Sequence, residues 1–463
     1  MLKTISKKAS RYFLIAVSLL FSAAALGACP VPQPDQDIYF VATDGSNSNP
    51  GTEAQPWRTP LYAMRNAPGG SFVYIKEGTY NSYPYSALEP TIPGTPQQWS
   101  VFANYPGHKV AITSQGARYG LDLQRIRQKD QYIHYCGFEI YNYEKLAEGK
   151  VEKPSAHLIL QDIEMHTARY GLRMRNCSDM KFIGMYVHHT GESGFSFRNC
   201  ENILVKNTES SYHDDGKTDS DADGLQTYGG KNMHIERFIA RFNREDGLDL
   251  NCDCSVFYSE LTNNGAVGLK AWRRSQDDYE AKHVFSVGNL YANNKEAGIK
   301  TSEGPGLTMY HDTVVANGEA AVVIKGHNRP GEEQYVLMNN IFVDNGNQVG
   351  YGRGVHYGHG KQLPTDRLSE SHNLYFNNNG QNTIGFTPNF PLEVDALLQD
   401  DDYKLNPHSP AIDAGTLIPG LHKQVDDCNN GNSDTDGAWP YAGVAPDMGR
   451  YEFGRGFIWE TEE

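Results

Sequence analysis

Five residues in this chain have the types and spacing to do chemistry together: Asp223, Glu245, Asp246, Asp249 and Lys270. Asp223-Gly224-Leu225 and Asp246-Gly247-Leu248 stand 23 residues apart, and Gly268-Leu269-Lys270 follows 21 residues after Gly247. Four carboxylates on one face repel one another unless a cation neutralises them. Hard oxygen donors without His or Cys suit Ca²⁺, which takes about 6–8 oxygens, better than a transition metal. A lysine next to such a site becomes a base once it is deprotonated. The competing reading is a solvated acidic turn, because Asp and Gly both favour turns for backbone reasons. Two Asp-Gly pairs in step, with two further acids and a lysine, weigh against it.

The elements that must position these residues are repeats. Tyr170-Gly171-Leu172-Arg173-Met174, Ser193-Gly194-Phe195-Ser196-Phe197 and Asp223-Gly224-Leu225-Gln226-Thr227 share one form. Asp246-Gly247-Leu248-Asp249-Leu250, Val267-Gly268-Leu269-Lys270-Ala271 and Ala297-Gly298-Ile299-Lys300-Thr301 repeat it, and Ala321-Val322-Val323-Ile324 keeps it without the Gly. Asn243, Asn264, Asn294 and Asn317 each stand four residues before the small residue of their repeat. An Asn at one place per coil can bond the backbone of neighbouring coils, as Asn ladders do in stacked sheets. Between these columns lie short β-rich runs such as Lys181–Val187 and Met233–Ile239. Short strands recurring every ~20–25 residues, with polar turns and almost no helical periodicity, predict an all-β parallel solenoid whose coils must stack to bury their apolar faces. The lack of helices between strands excludes a TIM barrel or doubly wound sheet.

Alternate strand residues point to opposite faces. The apolar residue after each Gly therefore points inward, and the next one outward. The outward column reads Arg173, Ser196, Gln226, Asp249, Lys270, Lys300. The residue before Gly adds Tyr170, Ser193, Asp223, Asp246, Val267 and Ala297. Tyr212, Tyr228 and Trp272 are aromatic residues near this face, whose commoner use is packing against a coil. His134, His188, His189 and His213 have no partner column and read as ordinary.

The chain has 463 residues, a formal charge of −15 and 39 % hydrophobic residues. That is too apolar for a disordered protein. The acidic balance argues against nucleic-acid binding, which needs clustered Lys and Arg. An anionic substrate would have to be drawn by a local patch or a metal. Residues 1–28 read as a lipoprotein-type export signal, with a basic stretch before the apolar run Phe13–Leu26. Leu26-Gly27-Ala28-Cys29 resembles a lipobox, with Cys29 as the lipidated residue and the only membrane attachment expected. A linker at 29–37, a β-helix domain at 38–395 and a closing segment at 396–463 complete the organisation. Export permits disulfides. Cys177 and Cys200 either bridge or stack, stacking being the preferred reading. Cys252-x-Cys254 lacks the second pair a zinc site needs. A helical candidate, Leu61–Asn66, belongs to the N-terminal cap. Asp426–Gly437 reads as a solvated loop, with structural Ca²⁺ binding as the alternative.

Tyr39–Thr52 with Gln55-Pro-Trp57 resembles the opening of bacterial right-handed parallel β-helix proteins. Ser409–Gly415 and Pro446–Glu452 resemble their closing segments. The acids, with Gly-Leu-Lys on the following coil, resemble the family 9 polysaccharide lyases, which include Ca²⁺-dependent pectate lyases. The resemblance implies Asp223, Glu245, Asp246 and Asp249 as Ca²⁺ ligands, with Glu245 standing where the family has Asp. It implies Lys270 as the catalytic base and β-elimination on a uronic-acid polymer of the pectate or polygalacturonate kind. Arg273, Arg274 and Lys300 are the expected substrate contacts. A monomer, exported to the outer membrane or cell surface or secreted, completes the expectation. A β-helix glycoside hydrolase, an alginate lyase or epimerase, and a non-catalytic glycan-binding lipoprotein remain the alternatives.

Overall fold

The computed structural model describes residues 28–81, 87–124, 130–149, 155–214, 216, 221–273, 283–326, 333–346, 353–399, 402–419, 421–424, 439–441 and 444–453. The apolar part of the export signal, Arg274, Cys428 and the Asp426–Gly437 loop lie outside the described residues. Two compact units divide the chain, residues 25–254 with 261–266, and residues 255–260 with 267–463.

Among the described strands of the first unit, the strands named in register pair in parallel. Successive coils stack the same sequence position. Leu121, Ala147, Leu172, Phe195, Leu225 and Leu248 stand in one register column, and all are fully buried. Leu172, Phe195, Leu225 and Leu248 are the inward positions expected from the Gly-apolar repeat, and Leu121 and Ala147 extend the column. A large aliphatic side chain so buried contributes roughly 1.5–3 kcal/mol, and only the coils on either side make that burial available. The cap helix spans Pro60–Asn66. Pro60 opens it, where a missing N–H costs nothing, and the Thr59 hydroxyl accepts from the Tyr62 amide at 3.2 Å. Trp57 stacks on Tyr39 at 4.9 Å. Gly51, at φ 84°, lies against the Trp57 indole, where a Cβ would come within 2.6 Å of a ring carbon.

The second unit repeats the plan, again with parallel pairings only among its described strands. Leu269, Ile299, Val322 and Val355 form its fully buried inward column. The two quoted C-terminal segments lie together. Asp447 accepts from the Asp413 amide at 2.7 Å, and the Gly415 amide donates to the Pro446 carbonyl at 2.8 Å. The Gly449 amide then bonds the Asn339 carbonyl at 2.7 Å, which ties the segment to the coils.

The Asn column is a hydrogen-bonded ladder within each unit. The Asn243 amide donates to Asn264 Oδ1 at 3.3 Å. In the second unit Asn294, Asn317, Asn345 and Asn378 continue it, at 3.0, 3.1 and 3.1 Å. A second ladder in that unit runs from Ser259 through Asn289, Asp312, Asn340 and Asn373. His213 corrects its reading as a residue without a column. Its amide donates to Asn243 Oδ1, and its Nδ1 accepts from the Thr190 amide, both at 3.3 Å. It occupies an Asn place in the ladder. The Ser210 hydroxyl donates to the Gly224 carbonyl, so His213 Nε2–H donates to Ser210 Oγ at 2.9 Å. Burial holds the imidazole pKa down to about 3, which fits this neutral tautomer.

The cysteines also differ from expectation. Cys177 and Cys200 are bridged rather than merely stacked, with Cα atoms 4.5 Å apart, and Cys252 is bridged to Cys254. Cys29 is bridged to Cys136, 107 residues away, with Cα atoms 5.6 Å apart. A thioether lipid needs the Cys29 thiol free of this bond, so lipidation and the bridge to Cys136 are alternatives at this residue. A thiol in the lipobox and a thiol in a cap staple look alike in sequence; only proximity to Cys136 separates them.

Candidate active site

The Asp-Gly-Leu repeats place Asp223, and Glu245 with Asp246, in the turns just before two adjacent strands, Leu225–Arg241 and Leu248–Leu250, with Asp249 on the second strand. Gln226 pairs with Asp249 and Leu225 with Leu248 across the parallel ladder. The Asp246 amide donates to Asp223 Oδ1 at 2.9 Å, and the Gly224 amide donates to the Asp246 carbonyl at 3.0 Å. The glycine is required by close approach: a Cβ on Gly224 would stand 2.6 Å from the Gly247 carbonyl oxygen. Asp223 and Asp246 are each 3 % exposed, whereas Glu245 and Asp249 are partly exposed. Ser193 supports Asp223 from the previous coil, its hydroxyl 3.4 Å from Oδ2 and 3.2 Å from the Asp223 amide.

These residues fit a Ca²⁺ ion by chemistry and by one structural observation. Every donor is a hard oxygen. Gln226 Oε1, in register with Asp249, is buried and accepts no hydrogen bond. A buried amide oxygen left so is costly, and it is the kind of neutral ligand Ca²⁺ adds to carboxylates. Sequence reasoning put Gln226 in the outward column without giving it a role.

Among the described residues, the groups that hold three His, Cys, Asp or Glu ligand atoms within 4.8 Å of one another are Cys29–Cys136–Asp162 and Glu164–His166–His188; the acids at 223, 245, 246 and 249 do not come together that closely. The first has spent its thiols on a disulfide. In the second, the His166 and His188 rings stack 4.8 Å apart at 12°, so one ion cannot lie in both ring planes.

The predicted outward column holds for Arg173, Ser196, Gln226 and Asp249 in this unit. Beside it runs a column of which sequence reasoning named only Tyr228: Arg175, Arg198 and Tyr228. Its signal was present, since these residues lie two positions further along the same face. An open pocket of about 150 Å³ has Tyr170, Arg173, Arg175, Arg198, Gln226 and Tyr228 in its lining.

The second unit carries Lys270 on the strand Leu269–Trp272, paired with Ala297–Ser302 so that Lys270 stands opposite Lys300. Both lysines are partly exposed while Leu269, Ala271, Ile299 and Thr301 are buried, as alternation demands. Lys300 Nζ lies 2.8 Å from Glu296. Arg273 departs from its expected role as a substrate contact. It is 7 % exposed and paired with Glu333 at 3.0 Å, a carboxylate that also faces Arg367 at 3.7 Å. A cation drawn into such a pair is held by its partner, and taking it away would strand a buried charge. Nothing in its sequence neighbourhood announces Glu333, 60 residues away.

Comparison with known proteins bears on the fold first. The crystal structure of pectate lyase Pel9A matches at a TM-score of 0.54 and 16 % identity, over 91 % of this chain and 97 % of that one. The structure of XylC with xylose matches at a TM-score of 0.53 and 11 % identity, over 79 % and 88 %. At these identities the likeness speaks for the fold alone. Among curated sequences, pectate lyase PEL9 of Emericella nidulans is 26 % identical over 46 % of this chain and 49 % of its own length. The uncharacterized protein YwoF of Bacillus subtilis is 30 % identical over 27 % and 28 %. The match thus spans about half or less of those relatives. The model of the Pel9A-like right-handed β-helix region matches residues 39–329, well over half of the sequence and the whole of the stretch that carries the acids and Lys270. This chain therefore belongs to the Pel9A-like right-handed parallel β-helix family of pectate lyase-like proteins.

Proposed function

We propose that the protein is an exported, Ca²⁺-dependent polysaccharide lyase that cleaves polygalacturonate or a closely related uronic-acid polymer by β-elimination. The observation that carries this reading is the acid pair on adjacent coils, with Asp246 N–H bonded to Asp223 and the unsatisfied Gln226 oxygen in register with Asp249. Membership of a pectate lyase-like family supports it. Asp223, Glu245, Asp246 and Asp249 would hold the ion, with Gln226 as an added neutral ligand. Bound Ca²⁺ supplies positive charge for a uronate carboxylate, which acidifies the proton on the neighbouring C5.

Lys270 is the proposed base. Its amine takes the C5 proton, the C–H electron pair becomes the C4–C5 double bond, and the C4–O bond to the leaving sugar breaks. Water returns a proton to that oxygen. The support for Lys270 is its place in the repeat, one Gly-apolar-x motif after Asp249, and its partly exposed side chain. A lysine must be neutral to accept a proton, and its ordinary pKa is about 10.4. Rate should therefore rise into the alkaline range. The bridged Cys29 favours a released protein over a lipid-anchored one.

The test is incubation with polygalacturonate, with and without EDTA, while following the ultraviolet absorbance of the unsaturated product. Wild type should form it only with Ca²⁺, and Lys270→Ala should lose it while keeping fold and Ca²⁺ binding. New reducing ends without unsaturation would replace elimination with hydrolysis.

A further inference from the structure

The first unit carries a set of cations that the proposed chemistry does not use. Arg175 and Arg198 face each other across adjacent strands, and Tyr228 follows on the next. Arg173 stands two residues before Arg175 on the same face, in the column that leads through Ser196 and Gln226 to Asp249. None of these three guanidinium groups has a carboxylate within 4.0 Å among the described residues. Each of two is instead laid over a tyrosine ring, Arg173 over Tyr170 at 4.6 Å and Arg198 over Tyr228 at 5.2 Å. An aromatic face holds a guanidinium by cation–π attraction without consuming its hydrogen-bond donors. The N–H fork stays available, and that fork matches a carboxylate in two-point geometry.

The row is unusual in a chain of charge −15, where an unpaired arginine has many acids to choose from. Two acids do line the same pocket, Glu192 and Asp221. The Asp221 carboxylate takes the Tyr228 hydroxyl at 3.2 Å. Burial raises the Glu192 carboxyl above its ordinary value, against the pull of Arg173 and Arg169. Ser193, Ser196 and Gln226 also line this pocket. Neighbouring strands lie about 4.8 Å apart, so the arginines sit roughly two to three strand spacings from the strand of Asp249. A polymer laid across these coils reaches that far with a few sugar rings.

We propose that Arg173, Arg175 and Arg198, backed by Tyr170 and Tyr228, form a second carboxylate subsite, which takes a uronate further along the chain from the one held at the acid cluster. The subsite rests on the lyase reading for its direction along the polymer but not for its chemistry, which is recognition of an anionic sugar. It makes the preferred substrate an uninterrupted run of free uronates. A backbone in which neutral sugars alternate, or in which neighbouring carboxyls are methyl esters, presents no anion to the row.

The experiment compares wild type with Arg175→Ala, Arg198→Ala, the double variant and Arg198→Lys. Oligogalacturonates of graded length and polygalacturonate of graded methylation are the substrates, and melting curves check the fold. The double variant should raise KM for long, unesterified chains about ten- to a hundredfold while kcat falls far less, and should leave the shortest cleavable oligomer unaffected. Arg198→Lys should restore only part of the loss, because a point charge replaces the fork. A double variant with wild-type KM at every length and methylation would overturn the subsite and leave the lyase reading intact. Affinity electrophoresis in a polygalacturonate gel separates the two ideas. If wild type makes no unsaturated product yet is retarded in the gel, and the double variant is not, the subsite stands and the lyase reading falls. If wild type is neither active nor retarded, both fall.

Discussion

Asp312 interrupts the second ladder with a carboxyl where its neighbours are Asn289, Asn340 and Asn373. It is fully buried. Ser286 Oγ donates to it at 2.6 Å, and the Asn289 amide and side chain donate at 2.8 and 3.1 Å. Burial nevertheless outweighs these bonds and the pull of Arg450, and pushes its pKa up to about 7. The unfolded chain would ionise it near 3.9. Between those values the folded state holds a proton that the unfolded state has lost, so stability falls as pH rises from about 4 to about 7 and is level above. A gap of about three pH units corresponds to about 4 kcal/mol as an upper figure. Asp312→Asn removes the titration and matches the ladder: its Oδ1 keeps the Asn289 amide and its Nδ2 turns to Ser286 Oγ, which can donate to Tyr291 2.7 Å away. The expected result is a variant about 1–4 kcal/mol more stable than wild type at pH 9 and no more stable at pH 4. Denaturant unfolding of both proteins across that range measures it, and the difference between the two curves isolates this residue from other titrating groups. Parallel stability curves for variant and wild type would refute the reasoning. The result matters for function, because a lysine base asks the protein to work where Asp312 is ionised.

His213→Asn tests the opposite sign. A folded pKa near 3 against an ordinary 6.5 means that stability from neutral His213 is complete above about 6.5 and is lost as pH falls toward 3. The variant should show a shallower acid loss than wild type in circular-dichroism titration, and an identical slope would remove His213 from the account. Gln226→Ala should weaken Ca²⁺ binding several-fold by isothermal titration calorimetry without lowering the melting temperature. Unchanged affinity would take Gln226 out of the ligand set.

The sequence alone determined the solenoid, because a stacked fold writes its periodicity into the chain. Gly followed by an apolar residue at each coil, and Asn four residues before, were enough to place Leu172, Phe195, Leu225 and Leu248 inward and Asp249 and Lys270 outward. The acids were legible for the same reason, as equal offsets within consecutive repeats. Where the repeat was broken, legibility ended. His213 stands eleven residues before Gly224 rather than four, because an insertion separates them, and only the fold shows that it fills an Asn place. Arg273 looked available until Glu333, 60 residues on, closed over it. The Arg175–Arg198 column was available to the same alternation rule, yet only the pocket and the tyrosine faces gave it meaning. The lipobox reading of Cys29 did not foresee its bridge to Cys136, 107 residues away. Each of these was decided by contacts between distant parts of the chain, whose partners no local spacing encodes.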